Sequence, residues 1–370
     1  MTARARYVMV GGFLGAGKTT AVLRLARHLQ EKGLRVGLIT NDQSTGLVDT
    51  ALAEAHGFDV EEITGGCFCC KFGSLLEASE RLSEETRPDV FVAEPVGSCT
   101  DLTATVSYPL RRIYGNHFTV APLSVLVDPL RAERVLGLEA GKAFSPKVLY
   151  VYGKQIEEAE VIVINKIDLL TAERVERLRN ALHARNPRAQ ILAVSARDGR
   201  GLEPWFDHVA AAEAGTAVPP EVDYDEYAEG EALLGWLNAT VHVEGDASFD
   251  GNALLADVAG RVQAHLGAEG IEVAHFKAVF TPDEDGADLA VLNLVRGDAQ
   301  PEMSHRLAEP LDSGELVLNL RAEGDPERLE AVARASLASA LSAVRVRHRI
   351  DHLEQFRPAR PVPVHRLAEA

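Results

Sequence analysis

Short apolar segments alternate with amphipathic segments over roughly the first 210 residues of the chain. The apolar, β-branched segments predict buried strands at residues 7–10, 36–40, 90–93, 123–127, 161–164 and 191–194. Between them lie segments with apolar residues three or four positions apart, such as Leu25 and Leu29, which predict helices. This alternation is typical of an α/β fold, with a mainly parallel sheet covered by helices on both faces.

The composition changes after this first region. Residues 213–231 are rich in acidic residues, contain Pro219-Pro220 and indicate a linker. Strands are then predicted at 236–243, 273–280, 289–296 and 316–321, with helices at 253–266 and 326–341, an order that suits a smaller α+β domain. The predicted parts are an α/β domain over 1–212, a linker over 213–231, an α+β domain over 232–350 and a loose tail over 351–370.

Composition and charge exclude several classes of protein. The chain has 370 residues, 46% hydrophobic and 25% charged, and its formal net charge is −17. It therefore lacks the general basic surface to which nucleic acids and anionic lipids bind. Neither is an expected partner. No stretch approaches about 20 apolar residues, and the N-terminal apolar run is interrupted by glycines and Lys18. We therefore expect a cytoplasmic protein.

Residues 12–19 match the phosphate-loop pattern G-x-x-x-x-G-K-[ST]. They follow a predicted strand and open a predicted helix, which is the context that the pattern requires. Backbone N–H groups of such a loop and the helix N-terminus bind phosphate oxygens. The expected nucleotide-binding residues are Gly12, Gly15, Ala16, Gly17, Lys18, Thr19 and Thr20. Lys18 would reach the β and γ phosphates, and the Thr19 hydroxyl would bind Mg²⁺.

Residues 165–168 read N-K-x-D and directly follow a predicted strand. The Asp168 carboxylate can accept hydrogen bonds from N1–H and the 2-amino group of guanine, and adenine has neither donor there. We expect Lys166 to cover the base plane and Asn165 to tie its loop to the phosphate loop. A backbone N–H of Ser195 or Ala196, after the next strand, would reach guanine O6. The predicted nucleotide is therefore GTP.

Three of the four cysteines are nearly contiguous: Cys67, Cys69 and Cys70. Such close neighbours form disulfides only with strain, so the cluster predicts metal binding or thiol redox chemistry. Three sulfur ligands suit Zn²⁺, or Co²⁺ or Fe²⁺, and leave one tetrahedral position open. The candidates for a fourth ligand are Asp42, Asp49 and His117. The remaining cysteine, Cys99, is interpreted as a small buried hydrophobic residue.

With these motifs in this order, the chain resembles the CobW-type GTPases, part of a group of metallocentre-assembly GTPases that includes UreG and HypB. The most specific match is G-G-C-x-C-C at residues 65–70. Residues 94–97 look like the E-x-x-G segment of the family, and Gln155 is in a family-like place. The resemblance implies that Glu94 or Asp42, together with Lys18 and Thr19, serves catalysis by holding Mg²⁺ or orienting the attacking water.

Together these features predict a metallochaperone that hydrolyses GTP to GDP and phosphate and delivers a transition metal ion to a client metalloprotein. One alternative is a regulatory switch, in which GTP and metal control the binding of a partner without metal transfer. Another is a redox protein that uses the three thiols. A second copy of the chain, forming a homodimer, is a further expected partner.

Overall fold

The computed structural model describes residues 4–41, 53, 57–215, 218–283 and 288–369. Within these ranges the chain divides into two compact units. The first unit contains the described residues up to 228 together with residues 360–369, and the second contains the described residues of 229–359. Among the described residues, no helix combines the length and the apolar character needed to cross a membrane.

A parallel sheet forms the centre of the first unit. Its strands are β1 (Ala5–Gly12), β2 (Val36–Asn41), β3 (Asp59–Ile63), β4 (Val90–Glu94), β5 (Phe118–Val120), β6 (Ser124–Val127), β7 (Val161–Ile164) and β8 (Gln190–Ala193). The order is β3-β2-β4-β1-β6-β7-β8, and β5 pairs with the start of β1. Strands β2, β4, β6 and β7 are buried along their whole length. This confirms the predicted mainly parallel sheet with helices on both faces.

Helices connect these strands. They are α1 (Lys18–Glu31), α2 (Phe72–Glu85), α3 (Tyr108–Tyr114), α4 (Pro129–Val135), α5 (Pro146–Glu158), α6 (Ala172–Arg185) and α7 (Leu202–Ala211), with a π-helical turn at Thr103–Ser107 and a 3-10 turn at Ile167–Leu169. Because the paired strands are parallel, their carboxyl ends meet at one edge of the sheet. The loops that carry the sequence motifs therefore gather at this edge.

The second unit is built on an antiparallel sheet. Its strands are β9 (Leu234–Phe249), β10 (Glu272–Pro282), β11 (Ala290–Leu294), β12 (Glu302–His305), β13 (Leu311–Glu323) and β14 (Val346–Phe356), in the order β12-β11-β10-β13-β9-β14. Helices α9 (Gly251–Ala268) and α10 (Pro326–Val344) share one apolar core with this sheet, in which Leu255, Val258 and Leu318 are fully enclosed. The predicted smaller α+β domain is thereby confirmed.

The boundaries of the parts differ from the predicted ones. Helix α8 (Tyr224–Leu233) occupies the end of the stretch interpreted as a linker, and the first unit extends to residue 228. The stretch interpreted as a loose tail over 351–370 begins within β14, because this strand pairs with β9 as far as Phe356. Residues 360–369 then rejoin the first unit, where backbone hydrogen bonds hold them in place.

Candidate nucleotide and metal site

The phosphate loop lies between β1 and α1. Gly17 has a φ of 88°, and a Cβ atom there would lie 2.5 Å from Asn165 Nδ2, so the position requires glycine on both grounds. Gly12 and Gly15 also have positive φ angles. Ala16 is buried, and its N–H donates to Phe13 O at 3.1 Å, which closes the turn. The loop therefore has the glycine-dependent backbone that phosphate binding needs.

Three polar side chains converge at the start of α1. Lys18 Nζ lies 3.8 Å from Glu94 Oε1, and both side chains are largely buried. Thr19 Oγ1 donates to the same carboxylate oxygen at 3.2 Å. Thr20 is exposed in the first helical turn, and Asp42 lies outside the described residues. Hydroxyl and carboxylate oxygens side by side are the ligands that Mg²⁺ prefers.

The residues that follow Glu94 lie against the phosphate loop. We call residues 94–101 the Glu94 segment. A Cβ atom on Gly97 would come within 3.1 Å of Leu14 N, so glycine favours this close approach to the phosphate loop. Gln155 holds the segment from the other side, because its Nε2 donates to Gly97 O at 3.0 Å and to Cys99 O at 2.8 Å.

Asn165 joins two further loops at the same edge. Its Nδ2 donates to Ala16 O at 2.9 Å, and its Oδ1 accepts a hydrogen bond from Ala196 N at 2.9 Å. Lys166 Nζ donates to Gly15 O at 2.7 Å. The N-K-x-D loop, the loop after β8 and the phosphate loop are therefore held together by a few side chains.

Asp128 belongs to this site, although the sequence did not single it out. Its Oδ2 accepts a hydrogen bond from Lys166 Nζ at 2.8 Å, and its Oδ1 accepts one from Arg131 N and so caps α4. Burial by itself would raise the pKa of Asp128, but the positive charges of Lys166 and Arg131 hold that pKa below its usual value. The only signal in the sequence was a carboxylate directly after the buried strand β6.

Asp168 lies in the 3-10 turn that follows β7. Its Oδ2 lies 3.5 Å from Arg197 Nη1, while its Oδ1 is buried and accepts no hydrogen bond from any residue that the structure describes.

The backbone amides of the loop after β8, from which we expected a contact with guanine O6, have acceptors within the protein. Ser195 N donates to Arg200 O at 2.9 Å, and Ala196 N is engaged by Asn165. These two amides shape the loop, so we do not assign a base contact to them.

The cysteine loop between β3 and α2 is organised by Asn41. Asn41 Nδ2 donates to Ile63 O at 3.0 Å and to Gly66 O at 2.8 Å, and Asn41 Oδ1 accepts a hydrogen bond from Phe68 N at 3.0 Å. Cys67 O then accepts hydrogen bonds from the next turn of backbone. One buried side chain on β2 thus shapes the loop that carries the thiols.

Cys67, Cys69 and Cys70, which we call the thiol cluster, bring their sulfur atoms within 4.8 Å of one another. Sulfur ligands about 2.3 Å from a tetrahedral zinc ion are about 3.8 Å apart, so the three atoms can bind one ion after a small adjustment. Cys67 and Cys69 are buried and Cys70 is partly exposed. The donor set therefore suits a soft or borderline transition metal.

Comparison with known proteins agrees with this geometry. The family model described as CobW/HypB/UreG, nucleotide-binding domain, matches residues 6–193, which is half of the chain. The chain belongs to this family.

Two curated relatives and one solved structure show how far the similarity of this CobW/HypB/UreG protein extends. The zinc chaperone CobW of a Sinorhizobium species is 28% identical over 215 residues, covering 52% of this chain and 58% of the relative. The zinc-regulated GTPase metalloprotein activator 1 of Dictyostelium discoideum is 25% identical over 260 residues, covering 58% of this chain and 54% of the relative. The chain thus spans little more than half the length of these relatives. The hydrogenase maturation factor HypB of Archaeoglobus fulgidus is 23% identical, with a TM-score of 0.39, covering 55% of this chain and 87% of that one.

Within this CobW/HypB/UreG site, Cys99 touches the thiol cluster. Hydrogen bonding with Cys69 first, and then with Cys70 and Cys99, lowers the pKa of the Cys67 thiol well below its ordinary value. The same contact with Cys67 raises the pKa of Cys70 to about 11. The interpretation of Cys99 as a mere hydrophobic residue missed this contact, which joins the cluster to the Glu94 segment.

Of the three predicted fourth ligands, the structure describes only His117. His117 comes directly before β5, and its backbone carbonyl pairs with Ala5 at the start of β1. That is the amino edge of the sheet, opposite the edge that carries the thiols, so His117 is not a candidate. Asp49, like Asp42, lies outside the described residues.

Proposed function

We propose that this protein is a GTPase that carries a divalent transition metal ion, Zn²⁺ foremost, and couples GTP hydrolysis to delivery of that ion to a client protein. The observation that carries the proposal is the arrangement of thiols at the carboxyl edge of the phosphate-loop sheet. Cys67, Cys69 and Cys70 can bind one ion, and Cys99 brings the Glu94 segment into contact with them. The names of the relatives, a zinc chaperone and a zinc-regulated GTPase activator, support zinc as the cargo.

GTP would bind across the joined loops. Lys18 would contact the β and γ phosphates, and the buried Asp168 Oδ1 would accept hydrogen bonds from the guanine edge. Thr19 and Glu94, whose oxygens lie 3.2 Å apart, would hold Mg²⁺, which neutralises charge on the phosphates when bound. Glu94 is thereby the residue through which the nucleotide acts on the rest of its segment.

The metal ion is cargo, and its binding is a proton exchange. Thiolates are the ligands, so a bound ion displaces the protons of the thiols that bind it. Three sulfurs leave one tetrahedral position for a ligand from a client or for Cys99. A cluster of free thiols is typical of a reducing compartment, which supports a cytoplasmic location.

The nucleotide and the metal would influence each other through the Glu94 segment. A change at Glu94 on loss of the γ phosphate moves a segment that contacts both the phosphate loop and Cys67. By linkage, if GTP changes the metal affinity by some factor, metal changes the relative affinity for GTP and GDP by the same factor. Coupling of about 1–3 kcal/mol, or roughly 5- to 150-fold, is typical.

Cobalt titration tests this proposal. Co²⁺ would be added to the full chain loaded with a non-hydrolysable GTP analogue and, separately, with GDP, and the sulfur-to-cobalt charge-transfer band would be recorded. We expect a band in both states and a different affinity in each. Cys69→Ser should remove much of the band, because it removes one thiolate ligand.

The outcomes separate the candidate functions. Equal affinities in the two nucleotide states would remove the coupling between hydrolysis and metal. Different affinities without metal transfer to any acceptor protein would favour the regulatory switch. Absence of the band in both states would remove metal binding and leave the redox hypothesis.

A further inference from the structure

The C-terminal segment, residues 360–369, lies along the thiol cluster. Val362 N donates to Cys70 Sγ at 3.2 Å, and Val364 N donates to Cys69 O at 2.9 Å. Leu367 N continues the contact by donating to Ala104 O at 2.9 Å. Pro361 and Pro363 favour an extended backbone and have no N–H, so the donors of alternate residues all point to one side. Val362 and Val364 therefore present two N–H groups to the cysteine loop.

A buried carboxylate holds this segment in place. Arg366 Nε donates to Asp101 Oδ2 at 2.8 Å, and Tyr224 OH donates to the same oxygen at 2.6 Å. The Asp101 side chain is 0% exposed, so its charge depends on these partners. The His365 ring also packs edge-on against Phe72 at the start of α2, with ring centroids 5.0 Å apart.

Asp101 is the last residue of the Glu94 segment. That segment therefore reaches the thiol cluster twice: directly, through Cys99 and Cys67, and indirectly, through Asp101 and Arg366. The indirect route ends at the hydrogen bond from Val362 to the Cys70 sulfur. A displacement of the Glu94 segment would thus act on the sulfurs and on the segment that covers them.

We propose that the C-terminal segment is part of the metal site. Val362 is a positioning residue that donates its N–H to the Cys70 sulfur, and the ion pair of Arg366 with Asp101 keeps the segment over the cluster. Metal exchange at the cluster then requires the segment to move. This inference rests on the proposed binding of metal by the three thiols.

The first test uses the metal-free full chain and does not depend on metal binding. The rate of alkylation of Cys70 by iodoacetamide would be compared in Val362→Pro, which removes the N–H, and Val362→Ala, which keeps it. Val362 is 68% exposed, so neither change disturbs the core. We expect the alkylation rate per thiolate, taken from the pH dependence of the reaction, to be about fivefold faster in Val362→Pro, because one hydrogen bond is worth about 1 kcal/mol, and unchanged in Val362→Ala. Equal rates in these two variants would overturn the proposal.

The ion pair offers a second matched comparison. Arg366→Gln removes the charge that pairs with the buried Asp101. Arg360→Gln removes the pair with Asp225, in which both side chains are more than half exposed. Exposed pairs contribute little, so only Arg366→Gln should speed the alkylation of Cys70. The same rate in both variants would show that Arg366 does not hold the segment.

The third test measures the charge-transfer band and the release rate of Co²⁺ bound to the thiol cluster. A hydrogen bond to a thiolate sulfur raises the energy of its charge-transfer band, so Val362→Pro should shift the band to longer wavelength and Val362→Ala should not. Release of Co²⁺ to excess EDTA should be faster in Val362→Pro and Arg366→Gln. If the parent protein shows no band, metal binding fails, while the alkylation rates still decide whether the segment covers the cluster. A band with the same position and release rate in all variants would overturn the role in the metal site.

Discussion

One residue, Asp168, is expected to select the nucleotide base. Its Oδ1 is buried and accepts no hydrogen bond within the described structure, so a guanine edge would satisfy it. Asp168→Asn exchanges an acceptor for a donor. We expect GTP affinity to fall on the order of 100-fold and xanthosine triphosphate affinity to rise, as measured by competition binding.

The control for this change is Asp207→Asn, which alters an exposed carboxylate that pairs with Lys32. It should leave both affinities unchanged. ATP binding as tight as GTP binding in the parent protein would contradict the guanine assignment.

A second prediction at the residue scale concerns the protonation of the Glu158 carboxyl group. It is buried, its Oε1 accepts from Thr100 Oγ1 at 3.0 Å, and its Oε2 accepts from Thr103 N at 3.1 Å. Burial first, and the charge of Asp101 next, raise the pKa of Glu158 from 4.5 to about 8. A carboxyl whose pKa is raised on folding stabilises the fold fully below the unfolded pKa and loses that contribution as the pH rises through the folded pKa.

We therefore expect this group to lower the free energy of unfolding by about 1.4 kcal/mol per pH unit between roughly pH 5 and 8. Glu158→Gln removes the titration and keeps the hydrogen-bonding shape. Urea denaturation at several pH values would measure the difference between the two proteins. That difference should shift in favour of the variant as the pH rises, and parallel curves would contradict the raised pKa.

At the scale of elements, the loop between β3 and α2 depends on β2. Asn41 donates from Nδ2 to both Ile63 O and Gly66 O, and a carboxylate at this position would repel these carbonyls. With about 1 kcal/mol per hydrogen bond, Asn41→Asp should weaken Co²⁺ binding by roughly 10- to 100-fold, as measured by the charge-transfer titration. GTP binding should persist, because the phosphate loop is a separate element.

The matched control lies in the second unit. Asn252 bridges Leu307 in a similar way, donating to its carbonyl and accepting from its N–H. Asn252→Asp should lower the stability of that unit and leave metal affinity unchanged. Equal effects of the two changes on metal affinity would mean that the Asn41 result reflects general destabilisation.

At the scale of the whole molecule, the two units have separate cores. The core of the second unit is formed mainly by β9–β11, β13, α9 and α10, all within this unit, and both helices are capped, by Asp250 and Asp325 respectively. We therefore expect a fragment of residues 229–359 to unfold cooperatively, as followed by circular dichroism during heating. A broad, non-cooperative transition would show that this unit depends on the first.

Much of the fold and of the nucleotide site could be predicted because it is encoded over short distances. The phosphate loop, the N-K-x-D loop and the cysteine motif are each contiguous, and their chemistry follows from backbone conformation and neighbouring side chains. The alternation of buried strands and amphipathic helices likewise depends on positions two to four residues apart. These patterns determined the α/β class, the order of the two domains and the expectation of GTP and a metal.

The tertiary structure alone decided how these parts meet. Cys99 reaches Cys67, Asp128 reaches Lys166, and the hydrogen bond from Val362 to Cys70 joins residues 292 positions apart. No local pattern carries such contacts, because they depend on where the parallel sheet brings distant loops together. For the same reason the sequence could not show which acceptors the backbone amides of Ser195 and Ala196 would find. In the folded chain Ser195 N donates to Arg200 O, and Ala196 N donates to Asn165 Oδ1. The residues interpreted as a loose tail form hydrogen bonds with the cysteine loop, because folding places the N–H groups of Val362 and Val364 beside a sulfur and a carbonyl acceptor.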